Sequence, residues 1–316
     1  MLKSGTSRIV VRTPAKVNLY LGVLGRRDNG YHDIDSVVAP VSLFDSIVLE
    51  STEEEIDLVI EKSSSVSADA IEAMRPGDNL VVKAAMALKT ATGYRGGARI
   101  SLEKNIPIGG GLGGGSADAA GVLVGLNNLW KTEVSREKLK EIGAKIGCDV
   151  PSLVHGGPVR MEGLGERVSG LPMAKNSGWW LVLVNPGFGV STADIYARHS
   201  LSLTADQIPI INMISALEEG NADLAVKGLF NALQDTVFKK YPLIEMLAEN
   251  LKKAGASGVL LSGSGASIFG MARDEKHALE VSERIGSMPG YSVWSRAVRI
   301  LPDGVMVAHG PLEARV

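Results

Sequence analysis

The chain has very little cysteine and almost no net charge. Its one cysteine, Cys148, excludes an internal disulfide framework and is typical of a reducing compartment, so we predict a cytoplasmic protein. The formal net charge of −2 over 316 residues gives no support to a general nucleic-acid-binding surface. Any phosphate binding must therefore be local.

Long apolar runs and grouped metal ligands are lacking too. No apolar run reaches the roughly 20 residues that span a bilayer, and the N-terminal MLKSGTSRIVVR lacks the apolar core of a signal peptide. We therefore expect no membrane partner and no secretory leader. The histidines do not have the spacing of metal ligands, so we predict no zinc site. They are His32, His155, His199, His277 and His309.

Glycine, by contrast, is concentrated in one segment, Ile106–Ala120. Six glycines fall within the seven positions from Gly109 to Gly115, and a helical pattern begins directly afterwards at Ser116. Glycine lets backbone N–H groups approach a ligand closely, and the following helix directs its free amides and positive dipole end at that ligand. The segment therefore predicts a phosphate-binding loop. A flexible linker is the weaker alternative, because linkers continue in Gly and Ser and do not end in an apolar helix.

Hydrophobic patterning predicts an α+β chain throughout. In the first half it predicts strands at 8–13, 17–24, 41–50, 56–61 and 98–102, and helices at 68–74, 79–92 (capped by Asp78) and 135–147. In the second half it predicts strands at 179–184, 258–261, 267–272 and 291–300, and helices at 206–219, 221–234, 242–254 and 275–287. The tail Leu301–Val316 has no clear pattern.

Two common phosphate-binding loops fit the glycine segment poorly. A Walker A loop ends in Gly-Lys-Ser/Thr, whereas Gly115 is followed by serine and alanine. A Rossmann fingerprint is formally present at Gly109, Gly111 and Gly114, but that match is nearly automatic in so glycine-dense a run. The Rossmann fold also needs a second strand ending in Asp or Glu about 20 residues further on. There the chain passes from one helix to another.

Three separated motifs instead resemble the GHMP kinase superfamily, whose members transfer the γ-phosphoryl group of ATP to small-molecule alcohols. PIGGGLGGGSADAA at 107–120 resembles its second motif, PAKVNL at 14–19 its first and LSGSGAS at 261–267 its third. The resemblance implies a two-domain α+β fold. The N-terminal domain, 1–165, has a mixed sheet and binds the nucleotide, and the C-terminal domain, 166–316, is an α/β sandwich. The active site lies between them.

The stretch RRDNGYHDIDS at Arg26–Ser36, and the GCDVP that contains Asp149, resemble one branch of this superfamily. That branch phosphorylates a cytidine-diphosphate-linked methylerythritol in the non-mevalonate synthesis of isoprenoid precursors, with ATP and Mg²⁺ as cofactors. Two alternatives stay open: another GHMP kinase, for mevalonate-type or homoserine substrates, and an inactive nucleotide-binding relative. Tyr31 and His32 argue against the first alternative, and Lys16 with Asp149 against the second.

The resemblance implies a catalytic pair. Asp149 matches the general base, although its local sequence alone favours a polar turn. Lys16, otherwise a solvated charge at a strand start, is implied to pair with Asp149 and to stabilise the charge that develops on the hydroxyl. Asn18 lies on the same strand face as Lys16 by the period of two, and we expect it to orient the substrate.

The resemblance also implies contacts with cytidine and with ATP. Tyr31 is implied to stack on cytosine and His32 to hydrogen-bond its edge, while Leu164 and Thr192 line the pocket. Ser116 is implied to reach phosphate or Mg²⁺. The implied nucleotide contacts are Asn79, Lys104, Gly109, Gly110, Gly111, Gly113, Gly114, Gly115, Ser116 and Asp118.

Several positions of the chain have other readings. Asn79 could equally be a helix cap and Lys104 a solvated strand-end charge, and some family members carry Asn at the place of Asp118. Gly263 and Gly265 are implied to let the third motif pack against the second, although a simple hairpin turn also fits them. Cys148 is expected to be a buried packing residue.

Overall fold

The computed structural model describes residues 8–61, 66, 71–72, 78–175, 177–199, 209–288 and 293–309. The short helix predicted at 68–74 lies for the most part outside the described residues. Within the described residues, no helix has both the length and the apolar character needed to cross a membrane.

Strands and helices are mixed along the described part of the chain, in runs of one to three elements. The strands are β1 Arg8–Arg26, β2 His32–Thr52, β3 Ile56–Glu61, β4 Gly97–Glu103, β5 Val159–Gly163, β6 Arg167–Gly170, β7 Trp180–Asn185, β8 Phe230–Asn231, β9 Ser257–Leu261, β10 Ile268–Ala272, β11 Trp294–Arg299 and β12 Met306–His309. The helices are α1 Leu80–Thr92, α2 Gly114–Trp130, α3 Arg136–Ala144, α4 Val150–His155, α5 Thr192–Arg198, α6 Ile210–Glu219, α7 Ala222–Gly228, α8 Gln234–Lys240, α9 Pro242–Lys253 and α10 Glu275–Gly286.

The larger sheet is mixed and has the order β12–β1–β2–β4–β3, with β5 paired to β2, β6 to β5 and β8 to β1. Only the pairs β3–β4 and β1–β8 are parallel among the strands of this sheet that the structure describes. The alternation predicted at 98–102 is confirmed, because Ala98, Ile100 and Leu102 are fully buried. They pack with α1 and α2 in one hydrophobic cluster, which forms the core of the first half.

β1 is one continuous strand of 19 residues, whereas the sequence predicts two strands separated near Pro14. The pairing of β1 with β2 changes register between Pro14 and Ala15. Proline has no N–H to donate, so it is tolerated at an irregularity of the ladder where it would disrupt a regular one. The proline therefore interrupts the pairing without ending the strand.

The smaller sheet is antiparallel, with the order β11–β7–β10–β9. The helix predicted at 221–234 is wrong in extent. Its first part is α7, but Phe230–Asn231 then forms β8 and pairs with Tyr20 and Leu21 of β1. α8, which begins at Gln234, was not predicted. Pairing with a strand that is distant in sequence overrides the local helical pattern here.

The two halves share a buried cluster. Val17 and Leu19 of β1 pack in it with Leu181, Leu183 and Phe269 of the smaller sheet. The chain also crosses the proposed division, since β6 and β12 both belong to the larger sheet. The domain boundaries 1–165 and 166–316 stay a prediction.

Candidate active site

The glycine segment is a loop that needs glycine for its backbone shape. Gly109, Gly111 and Gly113 have φ angles of 65°, 76° and 69°, values that L side chains rarely adopt. A Cβ on Gly111 would lie 2.2 Å from the carbonyl oxygen of Ser262. α2 begins at Gly114, two residues earlier than predicted, and its N-cap residue Gly113 offers no side-chain acceptor. The first amides of α2 are therefore arranged as an anion site.

The third motif packs directly on the glycine loop, and this expectation is confirmed. The Ser262 hydroxyl donates to the carbonyl of Gly111 at 3.1 Å, and the Ser267 N–H donates to the carbonyl of Gly110 at 3.0 Å. The loop is thus supported from the second half of the chain. The phosphate contacts of its glycines and of Ser116 stay predictions.

The structure brings Lys16, Asn18 and Asp149 together beside this loop. Lys16 Nζ lies 3.4 Å from Asp149 Oδ2 and donates to Asn18 Oδ1 at 2.8 Å. The Lys16 N–H donates to the carbonyl of Leu112 at 2.9 Å. A Cβ on Gly113 would lie 2.8 Å from Lys16 Cγ. The lysine side chain therefore runs along the loop and ends at the carboxylate.

Lys104 and Asp118 form a buried cluster with Asp45, so their predicted role is corrected. Lys104 Nζ donates to Asp118 Oδ2 at 2.7 Å and also to Asp45 Oδ2, and Lys104 is only 2% exposed. Asp45 Oδ1 accepts from the N–H of Ile106 at 2.8 Å, and Thr13 donates to Asp118 at 3.2 Å. Neither charge is free to bind a nucleotide. The cluster instead joins the two ends of the glycine loop.

Burial changes the electrostatics of this cluster. Burial, followed by the Asp118 carboxylate, raises the pKa of Asp45 to about 7. Burial alone would lower the pKa of Lys104, but Asp118 and Asp45 outweigh it and raise that pKa. The charged Lys104 ammonium therefore pairs with both the Asp45 and the Asp118 carboxyl groups.

Asn79 is the N-cap of α1, and its side chain accepts from the N–H of Val81 at 2.9 Å. The cap predicted at Asp78 is therefore wrong, and the Asp78 side chain is 92% exposed. Leu80 Cδ1 lies 3.6 Å from the position of a Cβ on Gly115, so α1 begins next to the end of the glycine loop. A nucleotide contact of Asn79 stays a prediction.

Tyr31 and His32 have different surroundings. Tyr31 is 61% exposed in the turn between β1 and β2, whereas His32 is buried. The His32 ring lies 5.2 Å from the Tyr196 ring, centroid to centroid. Burial and then Arg26 lower the pKa of His32. Its imidazole is therefore neutral at pH 7, with one donor and one acceptor nitrogen.

Tyr196 of α5 is a site residue that the sequence analysis missed. Burial raises the pKa of Tyr196, and the Asp149 carboxylate and Cys148 act in the same direction. Its ring lies beside the ring of His32. Thr192 pairs its hydroxyl with that of Ser264 at 2.8 Å. The spacing of four residues from Thr192 to Tyr196 puts both on one helix face, and this signal could have revealed Tyr196.

The turn between β5 and β6 carries Leu164 and packs beside Cys148. A Cβ on Gly165 would lie 3.1 Å from the Cys148 carbonyl oxygen. Leu164 is thus placed near Asp149, and its contact with cytidine stays a prediction. Cys148 is exposed, so its assignment as a buried packing residue is wrong. Burial of part of the side chain and then Asp149 raise the pKa of its thiol, which makes it a weak nucleophile.

Comparisons of fold and family agree with this arrangement. Residues 79–157 match the family GHMP kinases N terminal domain, and residues 213–289 match GHMP kinases C terminal. The crystal structure of 4-(cytidine 5'-diphospho)-2C-methyl-D-erythritol kinase has a TM-score of 0.75 at 32% identity, over 92% of this chain and 99% of that one. A homoserine kinase from Cytophaga hutchinsonii has a TM-score of 0.74 over 98% of this chain and 99% of its own, but at 17% identity it shares the fold alone.

Two curated relatives carry the same name. The chain is 42% identical over 272 residues to the 4-diphosphocytidyl-2-C-methyl-D-erythritol kinase of Symbiobacterium thermophilum. The aligned residues make up 86% of this chain and 93% of the relative. It is 36% identical over 299 residues to the enzyme of the same name from a Geobacillus species, and this alignment covers 94% of this chain and 98% of the relative. The GHMP fold and the resemblance inferred from the motifs are confirmed. The chain belongs to the 4-diphosphocytidyl-2-C-methyl-D-erythritol kinase family of the GHMP kinases.

Proposed function

We propose that this protein transfers the γ-phosphoryl group of ATP to the 2-hydroxyl of 4-diphosphocytidyl-2-C-methyl-D-erythritol. The reaction is a step in the non-mevalonate synthesis of isoprenoid precursors, and we place it in the cytoplasm. The observation that carries the proposal is the pair Lys16–Asp149, 3.4 Å apart beside the glycine loop. Family membership supports the substrate, since the relatives are named for it.

In the reaction, Asp149 accepts the proton of the substrate hydroxyl as its oxygen attacks the γ-phosphorus in line with the leaving ADP. The Lys16 ammonium, held next to that carboxylate, stabilises the negative charge that develops on the hydroxyl oxygen. The amides at the start of α2 bind the phosphate oxygens. Catalysis of this kind rests on positioning and on charge stabilisation, and this chain supplies both from fixed groups.

ATP phosphates fit the start of α2, because its N-cap residue Gly113 has no side-chain acceptor for the first amides of the helix. The positive φ angles of Gly109, Gly111 and Gly113 bring the loop backbone to that point. GHMP kinases generally use a divalent cation with ATP, and we propose Mg²⁺. The Ser116 hydroxyl and phosphate oxygens are hard oxygen ligands of the type that Mg²⁺ prefers. When bound, the ion neutralises phosphate charge.

The cytosine base fits the side of the site formed by His32 and Tyr196. Neutral His32 offers one donor and one acceptor to a base edge, and the neighbouring Tyr196 ring offers an aromatic face for stacking. The exposed ring of Tyr31 stacks on the base from the turn, and Leu164 and Thr192 line the pocket. This side of the site distinguishes the proposed substrate from smaller alcohols.

An ADP-release assay with three alcohols tests the proposal. We expect the cytidine-diphosphate-linked methylerythritol to be used with a kcat/KM at least about a hundredfold above that of mevalonate or homoserine, because only it engages the His32 side of the site. Asp149→Asn, purified in the same way, is the control for contaminating kinases. Equal or faster turnover of mevalonate or homoserine would contradict the proposal.

A further inference from the structure

Ser36 of β2 is a buried hydroxyl that connects the backbone of β1 to the catalytic lysine. Its Oγ donates to the carbonyl oxygen of Tyr20 at 2.6 Å and accepts from Asn18 Nδ2 at 2.9 Å. Asn18 Oδ1 in turn accepts from Lys16 Nζ at 2.8 Å. Ser36 is 0% exposed, so water has no access to its oxygen.

The chain of hydrogen bonds has only one consistent direction. A serine hydroxyl has a single hydrogen, and here the Tyr20 carbonyl, which can only accept, takes it. The Ser36 oxygen must therefore accept from Asn18, which turns the NH₂ end of that amide towards Ser36. The opposite end, Oδ1, then faces the Lys16 ammonium.

An irregularity in the β1–β2 pairing creates this geometry. Asn18 pairs with Val38 but Tyr20 pairs with Val37, so Leu19 is an extra residue on β1. A bulge of this kind redirects side chains and leaves backbone groups out of the regular ladder. The Ser36 hydroxyl satisfies the Tyr20 carbonyl at that place.

We propose that Ser36 is a positioning residue, whose hydroxyl fixes the orientation of the Asn18 amide and thereby holds the Lys16 ammonium next to Asp149. This inference rests on the proposed catalytic roles of Lys16 and Asp149. Without the hydroxyl, Asn18 Nδ2 loses its buried acceptor, so the amide is held only from the Lys16 side and can rotate about its side-chain bonds. The ammonium then loses the fixed acceptor that holds it next to Asp149.

Ser36→Ala tests the inference, with Ser42→Ala as the matched control. Ser42 lies on the same strand, but its hydroxyl accepts from the Arg299 N–H at 2.9 Å, outside the catalytic pair. We expect Ser36→Ala to lower kcat by about 10- to 100-fold, the range for a lost hydrogen bond in a charged network. We expect the ATP dissociation constant to change by less than about twofold. A kcat of folded Ser36→Ala equal to that of Ser42→Ala would overturn the inference.

An Asn18→Asp background separates positioning from a general effect on the fold. A carboxylate presents oxygen to Lys16 in either orientation, so Ser36→Ala should have almost no further effect on kcat there. An equally large effect in this background would overturn the inference. If Ser36→Ala does not fold, the isosteric pair Ser36→Thr and Ser36→Val replaces it. Only the valine should lower kcat, and equal kcat values would overturn the inference.

Asp149→Asn is measured beside these variants. Turnover by Asp149→Asn near that of the unmodified protein means that the proposed catalytic role of Asp149 has failed, and the assay with three alcohols tests the proposed function separately. Loss of turnover by Asp149→Asn together with full activity of Ser36→Ala means that only the role of Ser36 has failed.

Discussion

Lys16 and Asp149 differ greatly in exposure, at 4% and 32% of their side chains. The buried ammonium is held by Asn18, whereas the carboxylate is open to a substrate on one side. A carboxylate in that position can accept a proton while the cation behind it stabilises the developing charge. The structure therefore favours Asp149 as the group that exchanges the proton.

Asp149→Asn keeps the shape of the side chain but removes the proton acceptor. We expect turnover to fall by about 10²- to 10⁴-fold, the usual contribution of a general base. ATP affinity should be unchanged by calorimetry, because the glycine loop is intact. Turnover within about threefold of the unmodified protein would show that Asp149 is not the base.

Tyr31 gives a clean test of cytosine stacking because it is 61% exposed. We expect Tyr31→Ala to raise the KM of the cytidine substrate by about 5- to 150-fold, the equivalent of about 1–3 kcal/mol of base stacking. The melting temperature should hardly change, as for other exposed positions. Leu279→Ala on α10, with a side chain 57% exposed, is the control. An unchanged KM, or a loss of ATP affinity in its place, would contradict this role.

Among the elements, the glycine loop depends on the buried cluster of Lys104, Asp45 and Asp118. Asp45 accepts a hydrogen bond from the N–H of Ile106, which precedes the loop, and Asp118 belongs to α2, which follows it. The Lys104 ammonium connects the two carboxyl groups. The loop is therefore closed at its base by one cation, which keeps its amides in a fixed arrangement.

Removing the Lys104 ammonium should lower the free energy of unfolding far more than removing the charge of Asp118. Lys104→Met leaves two buried carboxyl groups without a cation, and we expect the free energy of unfolding to fall by about 3–5 kcal/mol. Asp118→Asn leaves the pair Lys104–Asp45, and we expect a loss of about 1 kcal/mol. Urea denaturation of both variants measures the difference. Equal stability of the two variants would contradict the role of Lys104.

The same cluster predicts how stability depends on pH. The pKa of Asp45 is raised from 3.8 to about 7, so the folded state binds this proton more tightly than the unfolded chain does. Its contribution to stability is therefore complete below about pH 4 and is lost as the pH rises through about 7. Asp118→Asn removes a neighbouring negative charge, so its melting temperature should fall less than that of the unmodified protein between about pH 6 and 8. If the melting temperatures of the two proteins changed equally with pH, the effect of Asp118 on the pKa of Asp45 would be contradicted.

For the whole molecule, the last described strand returns to the first sheet. β12 pairs with β1 from Ile9–His309 to Arg12–Met306, and Val307 packs against the core of the first half. Without β12, β1 would become an exposed edge of the sheet. β12 therefore covers one side of β1 in the larger sheet.

Deleting residues 305–316 should lower the free energy of unfolding by at least about 2 kcal/mol, because about four hydrogen bonds and apolar burial are lost. Deleting 310–316 alone is the control, since it leaves β12 in place. Thermal unfolding measures both variants. A melting temperature of the longer deletion equal to that of the control would show that β12 contributes no stability.

Features that depend on near neighbours along the chain could be predicted without the fold. The glycine run favours a loop whose backbone can approach a ligand closely, and the apolar pattern after it favours a helix. The alternation at 98–102 specified a half-buried strand in the same way, and the three motifs together with the GCDVP segment indicated the family.

Which distant groups meet could not be predicted in this way, because it depends on how the whole chain folds. Asp45 lies 59 residues from Lys104 and looks like an ordinary strand residue, so nothing local shows that it neutralises the lysine expected at the nucleotide. Tyr196 reads as a packing residue until α5 brings its ring to His32. β8 has a helical pattern that its pairing with β1 overrides. In each case the deciding energy, burial of a charge, a ring contact or a strand pairing, comes from residues that only folding brings near.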